Sequence, residues 1–230
     1  MTVSDNSTPH QAADYDASVR QVIPYYELMQ AEVVDLAKSL RPDARLWLDT
    51  GCGTGYLISL ALDAFPTTSF VVTDPSEAML GRAKARLERQ GLGRVRFLPS
   101  TRTEGLRLPV NDHPQIVTAI LCHHYLQAEP RTDATRACYE ALEKGGVYIT
   151  LEHTAAATDY AQQVNMDRWR RFQLARGKTP AEVDEHLGRF GTHYFPITAA
   201  EHLRLLRDTG FAVAEVFWAS FVDTGFYAVK

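Results

Sequence analysis

The residues best suited to chemistry in this 230-residue chain form a loop in which Asp49 precedes Gly51, Gly53 and Gly55. An apolar run, residues 46–48, leads into the loop and helix-forming residues follow it, so the segment predicts a strand, a tight turn and a helix. Glycine has no Cβ, so the backbone N–H groups of such a turn can approach a ligand closely, beside the positive end of the following helix. The segment therefore predicts a binding site for a nucleotide-like ligand.

Two departures from the dinucleotide-binding fingerprint indicate which nucleotide binds. The third glycine of G-x-G-x-x-G would fall at Tyr56, and Asp49 places a carboxylate just before the first glycine. A carboxylate at this place repels a pyrophosphate, but it attracts a ligand that carries an ammonium and a sulfonium group. S-adenosylmethionine carries both of these groups.

The segment 49–55, Asp-Thr-Gly-Cys-Gly-Thr-Gly, resembles motif I of the class I S-adenosylmethionine-dependent methyltransferases. A second β-rich run ends at Asp74, 19 residues after Gly55 (74 − 55), where this family places the acid that binds both ribose hydroxyls. Residues 74–80, Asp-Pro-Ser-Glu-Ala-Met-Leu, resemble the D-x-S-x-x-M-L segment of a subgroup that includes ubiquinone-biosynthesis and carboxy-S-adenosylmethionine enzymes. The resemblance covers roughly residues 12–152.

The resemblance implies S-adenosylmethionine as the cofactor, with an N-terminal segment folded over it. Aromatic faces there would meet the sulfonium, and Arg20 would pair with the methionine carboxylate; the alternative is that the tyrosines only anchor a terminal helix. Ser100 and Thr101 follow the third strand, where family members contact the adenine edge, although the usual acid is absent. The predicted cofactor-binding residues are Tyr15, Arg20, Tyr25, Asp49, Gly51, Cys52, Gly53, Gly55, Asp74, Pro75, Met79, Ser100, Thr101 and Leu121.

Histidines and an acid follow the fourth and fifth predicted strands. The fourth strand runs into His123 and His124, and the fifth runs into Glu152 and His153. Because ligands bind at the carboxyl ends of parallel strands, we predict a reaction centre in which His124, Glu152 or His153 is the catalytic group. A metal site built from the same groups is disfavoured, because no pair has the i, i+4 spacing that places two ligands on one helical face.

Residues 154–196 predict two helices inserted after the fifth strand, and a capping box from Thr179 to Glu182 begins the second. We expect this insertion to be a substrate lid, because it overlies the edge that holds the cofactor. Additional core packing or a dimer contact is the alternative. The predicted substrate-contacting residues are His123, Tyr26, Trp169, His193 and Tyr194.

Composition and charge limit the domain organisation, the partners and the cellular location that the chain can have. The chain is 45% hydrophobic and 23% charged, which fits one domain over residues 1–230 with residues 1–11 predicted to be disordered. The formal net charge of −4 disfavours a nucleic-acid partner. No run approaches the about 20 apolar residues of a membrane span, and three widely spaced cysteines predict reduced thiols. We therefore expect a cytoplasmic protein without a membrane partner, either a monomer or a homodimer.

The sequence thus predicts an α/β fold, a Rossmann-like doubly wound seven-stranded sheet with an antiparallel last strand and the helical insertion after strand five. The predicted function is methyl transfer from S-adenosylmethionine to an O, N, S or C nucleophile of a small-molecule substrate, without a metal. Two alternatives stay open: an enzyme of tRNA modification that resembles the carboxy-S-adenosylmethionine synthases, and a non-catalytic protein that binds S-adenosylmethionine.

Overall fold

A computed structural model describes residues 15–90 and 92–230 and shows a seven-stranded sheet in the order β3-β2-β1-β4-β5-β7-β6. The strands are β1 (Leu46–Thr50), β2 (Ser69–Thr73), β3 (Val95–Phe97), β4 (Ile116–Ile120), β5 (Val147–His153), β6 (Val213–Ser220) and β7 (Asp223–Val229). The helices are α1 (Tyr15–Val22), α2 (Tyr26–Leu40), α3 (Tyr56–Ala64), α4 (Glu77–Glu88), α5 (Ala128–Ala141), α6 (Asp159–Ala175), α7 (Pro180–Leu187) and α8 (Ala199–Thr209). The disorder predicted for residues 1–11 lies outside the described residues.

The sheet confirms the predicted fold class. Strands β1 to β5 pair in parallel, whereas β7 pairs antiparallel with both β5 and β6. The strand order reverses between β1 and β4, which pair with Asp49 opposite Thr118. A doubly wound sheet binds its ligand beyond the strand ends at this reversal. The glycine loop after β1 and the turn after β4 therefore face each other across one crevice.

The central strands are buried on both faces, which explains their continuous apolar runs. On one face Trp47 and Phe70 pack with the helices α2, α3 and α4. On the other face Leu48, Val117 and Tyr148 pack with α5 and α8. Each large apolar side chain buried in this way contributes about 1.5–3 kcal/mol, so the sheet is a rigid platform for the loops at its edge.

The insertion after β5 contains the two predicted helices, α6 and α7, and the predicted capping box of Thr179 and Glu182 is present. Its interior is a small cluster of its own, in which Trp169 and Tyr194 pack with Val222 from the β6–β7 turn. The indole N–H of Trp169 donates to the carbonyl of Val22 at 2.6 Å, which joins the insertion to the end of α1. Among the helices that the structure describes, none has the length and apolar character of a membrane span.

Candidate cofactor cleft and its surroundings

The glycine loop turns through three residues in the left-handed region, with φ of +69° at Gly51, +54° at Gly53 and +74° at Gly55. A Cβ added at Gly51 would lie 2.7 Å from the Cβ of Cys122, so Gly51 lets the loop pack against the end of β4. A Cβ added at Gly53 would have no atom within 4 Å. Gly53 therefore borders open space, as expected of a residue over which a ligand lies.

Asp74, at the end of β2, is a buried carboxylate that holds this loop. Its Oδ2 accepts the N–H of Gly53 at 2.9 Å and its Oδ1 accepts the N–H of Ser76 at 2.9 Å. Both bonds run from backbone N–H groups of neighbouring turns, so they fix the orientation of the carboxylate. Asp74 lines the same cavity as Gly51 and Gly53.

Asp49 lines a second, adjoining cavity and is 2% exposed. Burial raises its pKa to about 7, a hydrogen bond from the Thr118 hydroxyl lowers it, and the charge of Asp74 raises it further. Gln30 lines this cavity as well, and its buried Oε1 has no hydrogen-bond partner among the described residues. Two oxygen acceptors therefore face one cavity, an arrangement suited to an ammonium group.

Helix α1 lies over the cleft and is tied to the glycine loop. Tyr15 lines both cavities, and burial raises the pKa of its hydroxyl. Asp16 accepts a hydrogen bond of 2.7 Å from the Thr54 hydroxyl and pairs with Arg86 at 2.5 Å. Helix α1 therefore closes one side of the two cavities, and its role in covering a bound cofactor stays a prediction.

The structure corrects the placement of two other residues of this segment. Tyr25 is 57% exposed and its ring packs near Trp218 and Phe221. Arg20 forms an ion pair with Glu27, and it lines neither cavity. Tyr25 precedes α2 and is exposed, whereas the guanidinium of Arg20 lies over the rings of Tyr26 and Tyr56, 5.8 and 5.4 Å from their centroids. Neither side chain therefore lines the space that a cofactor would fill.

Nine of the predicted cofactor residues line the two cavities, and their roles stay predictions: Tyr15, Asp49, Gly51, Cys52, Gly53, Asp74, Pro75, Met79 and Leu121. Gly55 serves packing instead, because a Cβ there would lie 3.1 Å from that of Ala83 on α4. Ser100 and Thr101 donate to the carbonyls of Pro75 and Pro99 and are not lining residues. The next three residues, which the sequence analysis missed, line the cavity in their place: Arg102, Thr103 and Glu104.

Glu152 hydrogen-bonds the turn after β4 and stabilises it. This structural role differs from the catalytic role predicted for the residue. Its Oε1 accepts the N–H of His123 at 3.2 Å and the hydroxyl of Thr150 at 2.9 Å. Its Oε2 accepts the N–H of His124 at 2.8 Å and lies 2.9 Å from the Nδ1 of the same residue. Glu152 is 2% exposed and lines neither cavity, so its carboxylate does not face a methyl acceptor in the cleft.

His124 and His153 are also buried outside the two cavities. Their rings stack at 4.2 Å, and the Nδ1 of His153 lies 2.6 Å from Oδ1 of Asp223. His123 is the histidine that lines the cleft, with its Nδ1 3.2 Å from the Tyr148 hydroxyl. Burial lowers the pKa of His123 to about 4, against the charge of Glu152, so its imidazole is neutral.

The predicted substrate residues do not lie together in the structure. Trp169 and Tyr194 lie inside the insertion rather than in the cleft, and His193 is exposed and bonded to Thr192. Tyr26 lines the cavity that contains Asp49. Near His123 the cleft is lined instead by the following residues of the same turn, Tyr125 and Leu126. The described residues contain no group of three or more His, Cys, Asp or Glu side chains placed to hold a metal ion.

Comparisons with known proteins agree with this architecture. Residues 48–148 match the family model of a methyltransferase domain. The carboxy-S-adenosyl-L-methionine synthase of Methylococcus capsulatus is 24% identical over 223 residues, covering 95% of this chain and 90% of the relative. The enzyme of the same name from Wolinella succinogenes is 27% identical over 219 residues, covering 91% and 88%.

Solved methyltransferase structures share the fold. Magnesium protoporphyrin IX methyltransferase from Synechocystis PCC 6803, with bound SAH, aligns with a TM-score of 0.65 and 18% identity over 92% of this chain and 86% of that one. An O-methyltransferase family protein from Burkholderia thailandensis aligns with a TM-score of 0.67 and 16% identity over 95% of this chain. This chain spans 58% of the length of the Burkholderia protein.

Proposed function

We propose that this chain is a class I S-adenosylmethionine-dependent methyltransferase, as the match of residues 48–148 to a methyltransferase domain supports, and that it methylates a small molecule that binds beside the turn after β4. The observation that supports the proposal is the pair of cavities that meet at Gly53. One cavity presents Asp74 and an apolar wall, and the other presents two oxygen acceptors. This polarity matches a ligand with a nucleoside at one end and an amino acid at the other.

The residues present fit S-adenosylmethionine. Asp49 and Oε1 of Gln30, which has no hydrogen-bond partner in the described part of the chain, would hold the ammonium, which offers three N–H donors. Asp74 would accept the ribose hydroxyls, and Met79 and Leu121 would form part of the apolar wall for the adenine. The bound cofactor supplies a methyl group activated by a sulfonium. The chain supplies alignment and excludes water, and α1 contributes to both because Tyr15 covers the two cavities.

Cofactor affinity is expected to rise with pH through about 7, where Asp49 ionises. The ionised carboxylate attracts the ammonium, so the affinity for S-adenosylhomocysteine should increase about tenfold between pH 6 and pH 8. Isothermal titration calorimetry at the two pH values measures this change. Asp49→Asn should bind more weakly and lose the pH dependence; equal affinity of the wild type at both pH values would contradict the role given to Asp49.

A carboxy-S-adenosylmethionine synthase is the second candidate, supported by relatives of that name that match nearly the full length of this chain. A carboxylated sulfonium would call for a cation beside the added carboxylate. Arg102 lines the cleft, but its side chain is 65% exposed and lies 3.9 Å from Glu104. The added negative charge would thus meet a partly neutralised cation, and for this reason we favour methyl transfer.

Methyl transfer can be tested with S-adenosylmethionine labelled in its methyl group and a panel of phenols, alcohols, amines, thiols and carboxylic acids. We expect release of S-adenosylhomocysteine with at least one acceptor class, together with a labelled product. Tight cofactor binding without release in any reaction would instead favour a non-catalytic binding protein. A protein that neither binds S-adenosylhomocysteine nor releases it would contradict the proposed function.

A further inference from the structure

The insertion after β5 is bonded to helix α1 rather than to the cleft. Among the described residues 154–196, none lines either of the two cavities. Instead, the indole N–H of Trp169 donates to the carbonyl of Val22 at 2.6 Å, and the side-chain amide of Gln21 donates to the carbonyl of Arg176 at 3.3 Å. Both bonds join the C-terminal end of α1 to α6 or to the residue that follows it. The insertion is therefore connected to the cleft through α1.

The bond from Trp169 fixes the C-terminal end of α1. The carbonyl of Val22 is among the last four of its helix, and such carbonyls have no hydrogen-bond donor within the helix itself. Trp169 supplies the donor, and both residues are buried. Val22 also packs with Leu121 and Leu151, at the ends of the central strands. Water does not readily replace a donor in such surroundings, so this end of α1 stays bound.

The N-terminal end of α1 is held by charged groups beside the glycine loop. Asp16 accepts the Thr54 hydroxyl at 2.7 Å with one oxygen and pairs with Arg86 at 2.5 Å with the other. Arg86 also donates to the Thr54 hydroxyl at 2.9 Å and to the Thr54 carbonyl at 3.0 Å. Thr54 lines the cavity that contains Asp49. Side chains from α1, the loop and α4 therefore bind one another next to this cavity.

The two ends of α1 differ in their access to water. The side chains of Asp16 and Arg86 are 32% and 21% exposed, so water can replace either partner of the pair and salt weakens it. The bond between Trp169 and Val22 is buried and uncharged. We therefore expect opening to begin at the N-terminal end of α1, where Tyr15 lines both cavities.

We propose that Trp169 and Asp16 are positioning residues that hold Tyr15 over the bound cofactor, and that the pair of Asp16 with Arg86 opens before S-adenosylhomocysteine leaves. The inference rests on the proposed function and adds to it the control of product release. The insertion, which the sequence analysis expected to be a substrate lid, then acts on the cofactor through α1. A bound ligand should also stabilise α6, because α1 and α6 are joined.

The role of Asp16 can be tested by displacing radiolabelled S-adenosylhomocysteine from the protein with an excess of unlabelled ligand. Asp16→Asn should release the ligand about tenfold faster, because hydrogen bonds to a charged group are weakened. Release from the wild type should become faster at high salt, and release from Asp16→Asn should not. Glu27→Gln is a matched control, since it breaks the pair of Arg20 with Glu27 on the surface of the same segment; it should release at the wild-type rate. Equal rates in Asp16→Asn and the wild type would overturn the proposal.

The role of the insertion can be tested in the same way with Trp169→Phe, which removes the donor to Val22. This variant should release the ligand on the order of fivefold faster. Tyr194→Phe is its control, since it removes a hydroxyl that lies 3.1 Å from Nε2 of His186 in the same cluster. It should lower the thermal stability of the protein without changing the release rate. If the two variants release the ligand at the same rate, the insertion does not act through α1 and the proposal fails.

Amide hydrogen exchange tests the same connection without a substitution in the insertion. S-adenosylhomocysteine should slow exchange in α1 and at the C-terminal end of α6, which lines neither cavity, and Asp16→Asn should reduce the effect on α6. Slower exchange confined to the residues that line the cavities would overturn the proposal. Failure of the proposed function is distinguishable, because the wild type would then bind no S-adenosylhomocysteine and its exchange would change nowhere.

Discussion

Gly53→Ala should bind S-adenosylhomocysteine much more weakly while the protein stays folded, whereas Gly51→Ala should lose the fold. Both glycines have a positive φ, which costs alanine about 1–2 kcal/mol. The Cβ at position 53 would enter open space within the cleft, but the Cβ at position 51 would lie 2.7 and 2.8 Å from two atoms of Cys122. That overlap forces β1 and β4 apart at the centre of a sheet, and native proteins are stable by only about 5–15 kcal/mol.

Thermal unfolding and calorimetry together measure the two effects. Gly177→Ala is a matched control, since Gly177 has φ of +88° and open space around its added Cβ but lies outside the cleft. It should show the cost of the strained backbone alone. Gly53→Ala should unfold near the temperature of this control, with an affinity for S-adenosylhomocysteine reduced on the order of 100-fold, or about 2.7 kcal/mol. Binding by Gly53→Ala equal to that of the control would mean that the ligand does not lie over the loop.

The second large effect is a loss of stability in mild acid. Burial lowers the pKa of both His123 and His202 to about 4, against the charge of Glu152 and with a smaller lowering by Arg131. In the unfolded chain a histidine titrates near 6.5. Between these pH values the unfolded chain binds protons that the folded protein does not, so the free energy of unfolding falls as the pH falls from about 6.5 to about 4. For each histidine, the difference between a pKa near 6.5 in the unfolded chain and about 4 in the folded protein lowers the free energy of unfolding by roughly 3 kcal/mol at most.

Urea unfolding at several pH values from 7 to 4 measures this dependence. The readout is the difference between variant and wild type in the slope of the free energy of unfolding against pH. Carboxylates titrate in part of the same range, but they contribute equally to both proteins. His202→Gln should flatten the slope, since glutamine does not titrate. His193→Gln, at an exposed histidine, should leave the slope as in the wild type. An unchanged slope in His202→Gln would show that His202 is not held neutral by the fold.

The sequence predicted the platform of the site well, because strand ends and glycine turns are local properties of the chain. The loop after β1, the acid at 74 and the two helices of the insertion are where the residue pattern placed them. Gln30 and Tyr125 were missed for a physical reason. Gln30 lies on the buried side of a helix identified by its apolar stripe, and Tyr125 follows two histidines in a turn whose side-chain directions the sequence does not show.

The catalytic residues could not be predicted in the same way, because the sequence does not show which partner a side chain meets at a strand end. Glu152 follows a buried strand, as a catalytic acid would, but its oxygens bind the backbone N–H groups of the neighbouring turn. His153 pairs with Asp223, which arrives from β7, seventy residues later in the chain. The two capping boxes depend on residues three positions apart, and local signals of that kind could be predicted.

The most direct test of the central claim is native mass spectrometry of the purified protein, with the mass of any retained ligand determined after denaturation. We expect one molecule of S-adenosylmethionine or S-adenosylhomocysteine for each chain, and a saturating ligand at about 100 times its dissociation constant should stabilise the protein by roughly 2.7 kcal/mol. A retained ligand with the mass of carboxy-S-adenosylmethionine would support the second candidate. A protein that retains none of these ligands, and shows no thermal shift with millimolar S-adenosylhomocysteine, would contradict the claim that this cleft holds the methyl donor.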